Sequence, residues 1–478
     1  MVLCRKGDFP VTVLFPYYYS KARGSDKLSL FTREKSFYQT FFRLTMTIAA
    51  QNLLTYSVSF ADNVMLGTYN ETALSGAALV NQIQFLLQML TMGIGEGVTV
   101  LCSQYWGKRD TKSIKKIMTG GIFLGVILAA VMWSIVFFAP HQVLRLFTDD
   151  EAVIAQGMRY LKIVCFTYFF FCMTNILMCS LRSVETVKIG MVLSTSTLII
   201  NICLNYTFIY GNFGAPELGA AGAAVATLTS RIVEFIIMVC YLRFLDQKLL
   251  FRLHDLKTFD PALFKKYLRV GSPVIAANFI WGIAMAVQTS ILGHLGANAI
   301  AANSVATTVF QIVTVVAYGA STASSILTGK TIGQGRIEDV KQYAKTFQIL
   351  FLCIGVVTGI VLFFLKDVIL RFYALTPESL EMSRQFMTVL SVTCVGTAYQ
   401  MACLTGIVRG GGDTKFVMIN DVIFAWCIVL PLSALAAFVW NWPPVLVFCC
   451  LKSDQILKCF VAVVKVNRFK WIRKLAVD

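Results

Sequence analysis

The residue of this chain with the most chemistry open to it is Asp62. It lies in Phe60-Ala61-Asp62-Asn63-Val64-Met65-Leu66-Gly67, which closes an apolar run that begins near Phe41. A carboxyl at the centre of a membrane helix costs about 2.5–3.5 kcal/mol on insertion scales. A chain keeps one where it faces a polar cavity or binds a ligand; the plainer alternative is a cap or an interfacial position. Burial disfavours the charged form of a carboxyl and a bound cation favours it, so a proton and a sodium ion are both candidate ligands. Three further oxygen-bearing side chains are expected at similar depth. Asn201 and Asn205 are four residues apart and share a helix face, roughly 13 and 8 Å from the end of their helix at ~1.5 Å per residue. Thr227 stands roughly 12 Å into the next helix, and Asp62 roughly 10 Å into its own. Oxygen ligands suit hard cations, and the alternative is that the asparagines only bond across helices.

The elements that must position these groups are membrane helices. Of 478 residues, 57% are hydrophobic and 14% charged, against ~45–50% and ~25% in soluble domains. About 20 apolar residues span a bilayer, and twelve candidates occur, near 41–67, 76–103, 117–139, 160–181, 189–210, 219–242, 270–293, 299–328, 346–365, 385–408, 416–439 and 443–464. The formal charge of +17 gathers in alternate connectors. Lys108 to Lys116, Arg182 and Lys188, the run Arg243 to Arg269, Lys330 to Lys345, and Arg409 with Lys415 fall on one side, which places both termini in the cytoplasm. The opposite connectors, such as Tyr69-Asn70-Glu71 and Asp149-Asp150-Glu151, are poor in base. Asn70-Glu71-Thr72 is a glycosylation sequon on the outer side. The charge therefore calls for a plasma membrane, not for nucleic acid.

A shift of 226 residues aligns the two halves without a gap over about 95 positions: Met65-Leu66-Gly67 falls on Ile291-Leu292-Gly293, Gly93 on Gly319 and Gly107 on Gly333. A one-residue adjustment brings Arg182 onto Arg409. The expected fold class is therefore an all-α polytopic membrane protein, twelve transmembrane helices in two pseudo-symmetric six-helix lobes. Its parts are a cytoplasmic tail (1–36), an N-lobe (37–245), a cytoplasmic linker (246–268), a C-lobe (269–466) and a basic cytoplasmic tail (467–478). Six is even, so both lobes enter with one orientation, and such repeats belong to transporters whose site lies between the lobes. At the position equivalent to Asp62 stands Gln288, so an ion site would be confined to the N-lobe.

Other polar residues within the spans are read as follows. Glu96, in Gly93-Ile94-Gly95-Glu96-Gly97, either lines a cavity or pairs with a loop base. Glu234 is expected to pair with Arg231, three residues away. Lys452, Asp454 and Lys458 are expected to pair among themselves, and Asp421 to be interfacial. Tyr56, Phe60, Trp281, Tyr318 and Tyr399 could offer faces to a lipophilic cation, or simply pack. Fourteen Cys and three His form no CxxC or metal motif; the Cys act as small hydrophobes. Gly329-Lys330-Thr331 lacks the upstream Gly of a phosphate loop, and no HExxH or GxSxG occurs. No enzyme, cofactor or ATP-driven pump is indicated.

The chain resembles the multidrug and toxic compound extrusion (MATE) transporters over about residues 38–466. The resemblance is carried by Ala61 to Gly67, Ser103-Gln104-Tyr105-Trp106-Gly107, Asn201 with Asn205-Tyr206-Thr207-Phe208-Ile209-Tyr210-Gly211, Phe213-Gly214-Ala215-Pro216-Glu217-Leu218-Gly219, Gly271-Ser272-Pro273, and Arg409-Gly410-Gly411-Gly412-Asp413-Thr414. It implies two lobes in a V, acting as a monomer in the bilayer. It further implies export of cationic amphiphilic compounds coupled to inward H+ or Na+, with Asp62, Asn201, Asn205 and Thr227 as the ion site. Tyr56, Glu96, Trp281, Gln288, Tyr318 and Tyr399 are the candidate cavity residues. Where some relatives carry an acid on the fifth helix this chain has Asn205, and where some carry one on the seventh it has Trp281, near Asn278. A related branch flips lipid-linked precursors and would need several cavity cations; here the recognisable intramembrane charges, Asp62, Glu96 and Glu234, are acidic and favour cationic cargo.

Overall fold

A computed structural model describes residues 31–371 and 375–476; most of the N-terminal tail (1–30) and the end of the C-terminal tail (477–478) lie outside the described residues. Twelve helical segments follow one another, one over each expected span. They are α1 (Lys35–Tyr69), α2 (Glu71–Gly107), α3 (Thr111–Phe138), α4 (Glu151–Val164 continued by Thr167–Ser183), α5 (Lys188–Tyr210), α6 (Ala220–Leu245), α7 (Pro261–Gly293), α8 (Ala297–Val313 continued by Val315–Gly333), α9 (Ile337–Leu370), α10 (Pro377–Val408), α11 (Thr414–Val439) and α12 (Pro444–Leu451 continued by Asp454–Asn467). No strand occurs among the described residues. Eight segments are by themselves long and apolar enough to cross a membrane, and the bent pairs α4 and α8 bring the number to ten. The other two, α1 and α12, are more polar: α1 carries Gln51, Asn52, Thr55 and Asp62, and α12 is interrupted at Lys452-Ser453.

Local chemistry explains the starts and the bends. Asn70 accepts from the backbone of Thr72 and Ala73 and starts α2. Asp260 caps α7 with Pro261 in its first turn, so α7 begins inside the segment expected as linker. The bend of 47° in α8 falls at Thr314, whose Oγ1 donates to the Phe310 carbonyl at 2.7 Å and so competes with the helical ladder. α10 widens into π-type turns over Ala402–Val408.

The lobes meet at the face that carries both termini. There α2 packs on α7 and on the second half of α8, and α1 packs on that same half. Small residues permit the approach: a Cβ on Gly97 would lie 2.9 Å from Gly271 Cα, and one on Gly333 would run into the Gln104 carbonyl. Polar bonds bridge the same seam. Lys330 Nζ meets Glu185 at 2.6 Å, and Tyr267 donates to the Ile94 carbonyl at 3.0 Å. The C-terminal tail straps it: Trp471 is fully buried, Arg473 meets Asp413 at 2.8 Å, and Gln104 Oε1 accepts from the Leu475 amide at 2.8 Å. At the opposite, far face the first half of α8 packs on α7, α9 and α10 of its own lobe.

Among the intramembrane charges, the expected pairing in α12 is present between Lys458 and Asp454 and extends further, while Lys452 lies 5.4 Å from the Phe448 ring centroid. Lys458, 5% exposed, meets Asp454 at 3.4 Å and Asp421 at 2.9 Å, so Asp421 is a partner of the last helix within the C-lobe. Removing the cation of a buried pair leaves uncompensated charge. Lys458→Met is therefore expected to destabilise the protein by about 3 kcal/mol, read as a lower unfolding temperature in detergent, and adding Asp421→Asn should recover part of the loss.

Candidate functional site

The N-lobe brings the four expected ion-site residues together. α1 supplies Asp62, α5 supplies Asn201 and Asn205 one turn apart, and α6 supplies Thr227. Asn205 Nδ2 donates to Asp62 Oδ1 at 2.5 Å and to Asn201 Oδ1 at 3.1 Å. Asn201 and Asn205 are 1% and 0% exposed. With both its donor contacts made, Asn205 leaves its own Oδ1 buried without a hydrogen-bond partner, and Thr227 Oγ1 and Thr197 Oγ1 are orphaned in the same way. Buried polar atoms are seldom left so. Thr197 is a further member of the Asn201–Asn205 face. Tyr160 of α4 was not legible as a site residue; its hydroxyl lies beside Thr227 without closing a hydrogen bond to it. Rotation of the Asn205 amide about its last bond would present Oδ1 to the cluster. The carboxylate, two amide oxygens and a hydroxyl are a donor set suited to a hard cation, or to a proton held on Asp62. Among the described residues no group of three or more His, Cys, Asp or Glu is placed to hold a metal; this cluster contains a single acid.

Between the lobes lies a cavity of ≈ 180 Å³. Its apolar lining includes Met92, Phe171 and Met178, and its polar lining Asn52, Thr55, Ser194 and Thr322. Of the expected cavity residues, Glu96 and Tyr318 line it. Tyr56, Gln288 and Trp281 are not among its walls, and Trp281 is 40% exposed. Tyr399 points into the C-lobe, where its hydroxyl donates to Gln348 at 2.8 Å. Phe60 is 64% exposed.

The acid-rich balance expected for the cavity is not what its walls present, because Arg182, Arg231 and Arg409 line it together with Glu96 and Glu234. Glu96 does both things the sequence allowed. It faces the cavity, and it accepts across the seam from Arg409 at 2.5 Å and from Asn278 at 3.0 Å. Arg231 pairs with Glu234 at 2.7 Å, as expected, and lies 5.2 Å from the Phe171 ring centroid. Arg182 donates to Gln51 Oε1 at 2.6 Å and has no carboxylate partner among the described residues. Arg182 and Arg409 read as connector bases in the sequence; their equivalence in the repeat was the one signal that they occupy equivalent places in the cavity wall.

The MatE family model matches residues 47–207 and 273–435, one copy in each lobe. A relative named "Probable multidrug resistance protein NorM", from Thermotoga maritima, is 27% identical over 395 residues, covering 82% of this chain and 84% of its own length. A protein of the same name from Listeria innocua is 26% identical over 448 residues, covering 92% and 96%. Among solved structures, the Vibrio cholerae MATE transporter VcmN, as a mutant, superposes with a TM-score of 0.83 at 16% identity, covering 92% of this chain and 98% of that one. A MOP superfamily transporter from Pyrococcus furiosus gives 0.82 at 18% identity, covering 91% and 96%. The two-lobed architecture is that of these structures, and with the family model matched over more than half its length, the chain belongs to the MatE family.

Proposed function

We propose that this chain is a secondary active multidrug efflux transporter that exports cationic amphiphilic compounds in exchange for H+ or Na+, and that Asp62, Asn201, Asn205 and Thr227 hold the coupling ion. The observation that carries this reading is the Asp62–Asn205–Asn201 chain with orphaned oxygens beside it. The relatives' name, multidrug resistance protein, supports the cargo class. The terminal face, rich in Lys and Arg connectors, is read as cytoplasmic, so the arrangement open at the far face is the one that takes up the ion and releases drug. The lobes, related by an axis along the membrane normal, exchange access by rocking, and the seam bonds Glu96–Arg409 and Glu185–Lys330 break in the opposite state. Work is done by transport, without catalysis, by a monomer in the plasma membrane.

An ion can bias the two states only by binding them unequally. Asp62 supplies that inequality if α1 shifts against α5 between states. A second reading, lipid-precursor flipping, gains from the three cavity arginines, but two of them are neutralised by glutamates. Reconstitution decides between them: dye movement driven by a proton or sodium gradient supports antiport, and gradient-independent lipid translocation without dye movement overturns it.

A further inference from the structure

The repeat makes the cavity a broken symmetry. Arg409 of the C-lobe reaches across to Glu96 of the N-lobe, with Asn278 donating to the same carboxylate oxygen. The 226-residue repeat gives each of these a counterpart: Arg182 for Arg409, Asn52 for Asn278 and, in place of Glu96, Thr322. All three counterparts line the cavity. The acid is therefore missing from one of two equivalent places. Arg182 has an amide as its partner where Arg409 has a carboxylate, and its Nε is buried with no hydrogen-bond partner. Arg231 and Arg409 are already paired, so Arg182 carries the excess charge of the cavity.

We infer that Arg182, with Asn52 on the wall of the same cavity, is an oxyanion subsite, and that the cargo supplies the carboxylate that Thr322 does not. The exported compounds are thus zwitterionic amphiphiles. Their apolar body lies on Met92, Phe171 and Met178, and their carboxylate sits on Arg182. A guanidinium suits this because it binds carboxylates through two parallel N–H donors. The inference deepens the transport reading and rests on it for the meaning of "cargo", but its test is a binding test.

The probes are rhodamine B, a cationic dye with a free benzoic acid, and its ethyl ester, which lacks that negative charge. Fluorescence anisotropy with purified full-length protein at neutral pH gives the two affinities. The wild type is expected to prefer the acid by about tenfold, the scale of one charge-assisted hydrogen-bonded contact. Arg182→Gln should bring the ratio near one, and Arg182→Lys should keep part of it. Thr322→Glu restores the missing acid, satisfies Arg182 from within, and should also bring the ratio near one. The Lys variant separates loss of charge from loss of fold. A wild-type ratio near one, or a preference that survives both Arg182→Gln and Thr322→Glu, would overturn the inference. So would a polyprenyl diphosphate displacing rhodamine B at lower concentration than the dye itself requires, because Arg182 would then serve a lipid headgroup. Gradient-driven dye efflux is scored separately: its failure with the acid preference intact counts against antiport alone.

Discussion

Gly333→Val is expected to reduce efflux about a hundredfold. The Cβ of any residue at 333 would occupy the space of the Gln104 carbonyl, and one at Gly107 the space of the Lys330 carbonyl. The obstacles are backbone atoms of the opposing lobe, which no side-chain rotation relieves. Overpacking of this kind costs about 3 kcal/mol, and each ~1.4 kcal/mol is a factor of ten in a two-state population. The cost falls on the arrangement in which the terminal face is sealed, so the variant should favour the opposite one. Initial efflux rates measure the loss. Thiol labelling of single cysteines placed at the two faces measures the shift, with terminal-face sites gaining access. Gly293→Ala is the control, because a Cβ there meets only the Ile300 side chain at 3.8 Å. Equal efflux in Gly333→Val and wild type would mean that the seam need not close during the cycle.

The second large effect is expected at Asp62. Asp62→Asn keeps the size and most of the packing of the side chain but removes the charge that a proton or a sodium ion requires. Gradient-driven exchange should fall to the background of empty vesicles. The geometry offers a rescue. Asn205 Nδ2 is 2.5 Å from Asp62 Oδ1, so the double variant Asp62→Asn, Asn205→Asp moves the carboxyl by one hydrogen bond within the same buried cluster. It should regain part of the gradient-driven rate, and a merely structural role for Asp62 would give no such recovery.

Much of this was legible in the sequence because membranes impose strong rules. Every backbone group must be satisfied within a helix, so apolar runs located twelve segments, of which the more polar α1 and α12 fall short by apolar length alone, and alternating charge grouped the connectors. The repeat located the second lobe, and an acid in an apolar run pointed to Asp62. Helical spacing of four then put Asn201 and Asn205 on one face, and the structure closes that face with hydrogen bonds. Direction was harder to read. Arg182 and Arg409 end their helices as connector bases do, yet both turn inward to the cavity. Asp421 and Lys458 are 37 residues apart, and only the packing of α11 on α12 makes them a pair. Tyr160 reaches Thr227 from α4, an approach that no local pattern encodes.

The most direct test of the ion-coupled account uses purified full-length protein in proteoliposomes loaded with a cationic dye, with a proton gradient and then a sodium gradient imposed in turn. The account predicts dye movement driven by one of the two, absent in Asp62→Asn and partly restored in the Asp62→Asn, Asn205→Asp double variant. Full gradient-driven movement in Asp62→Asn would contradict it.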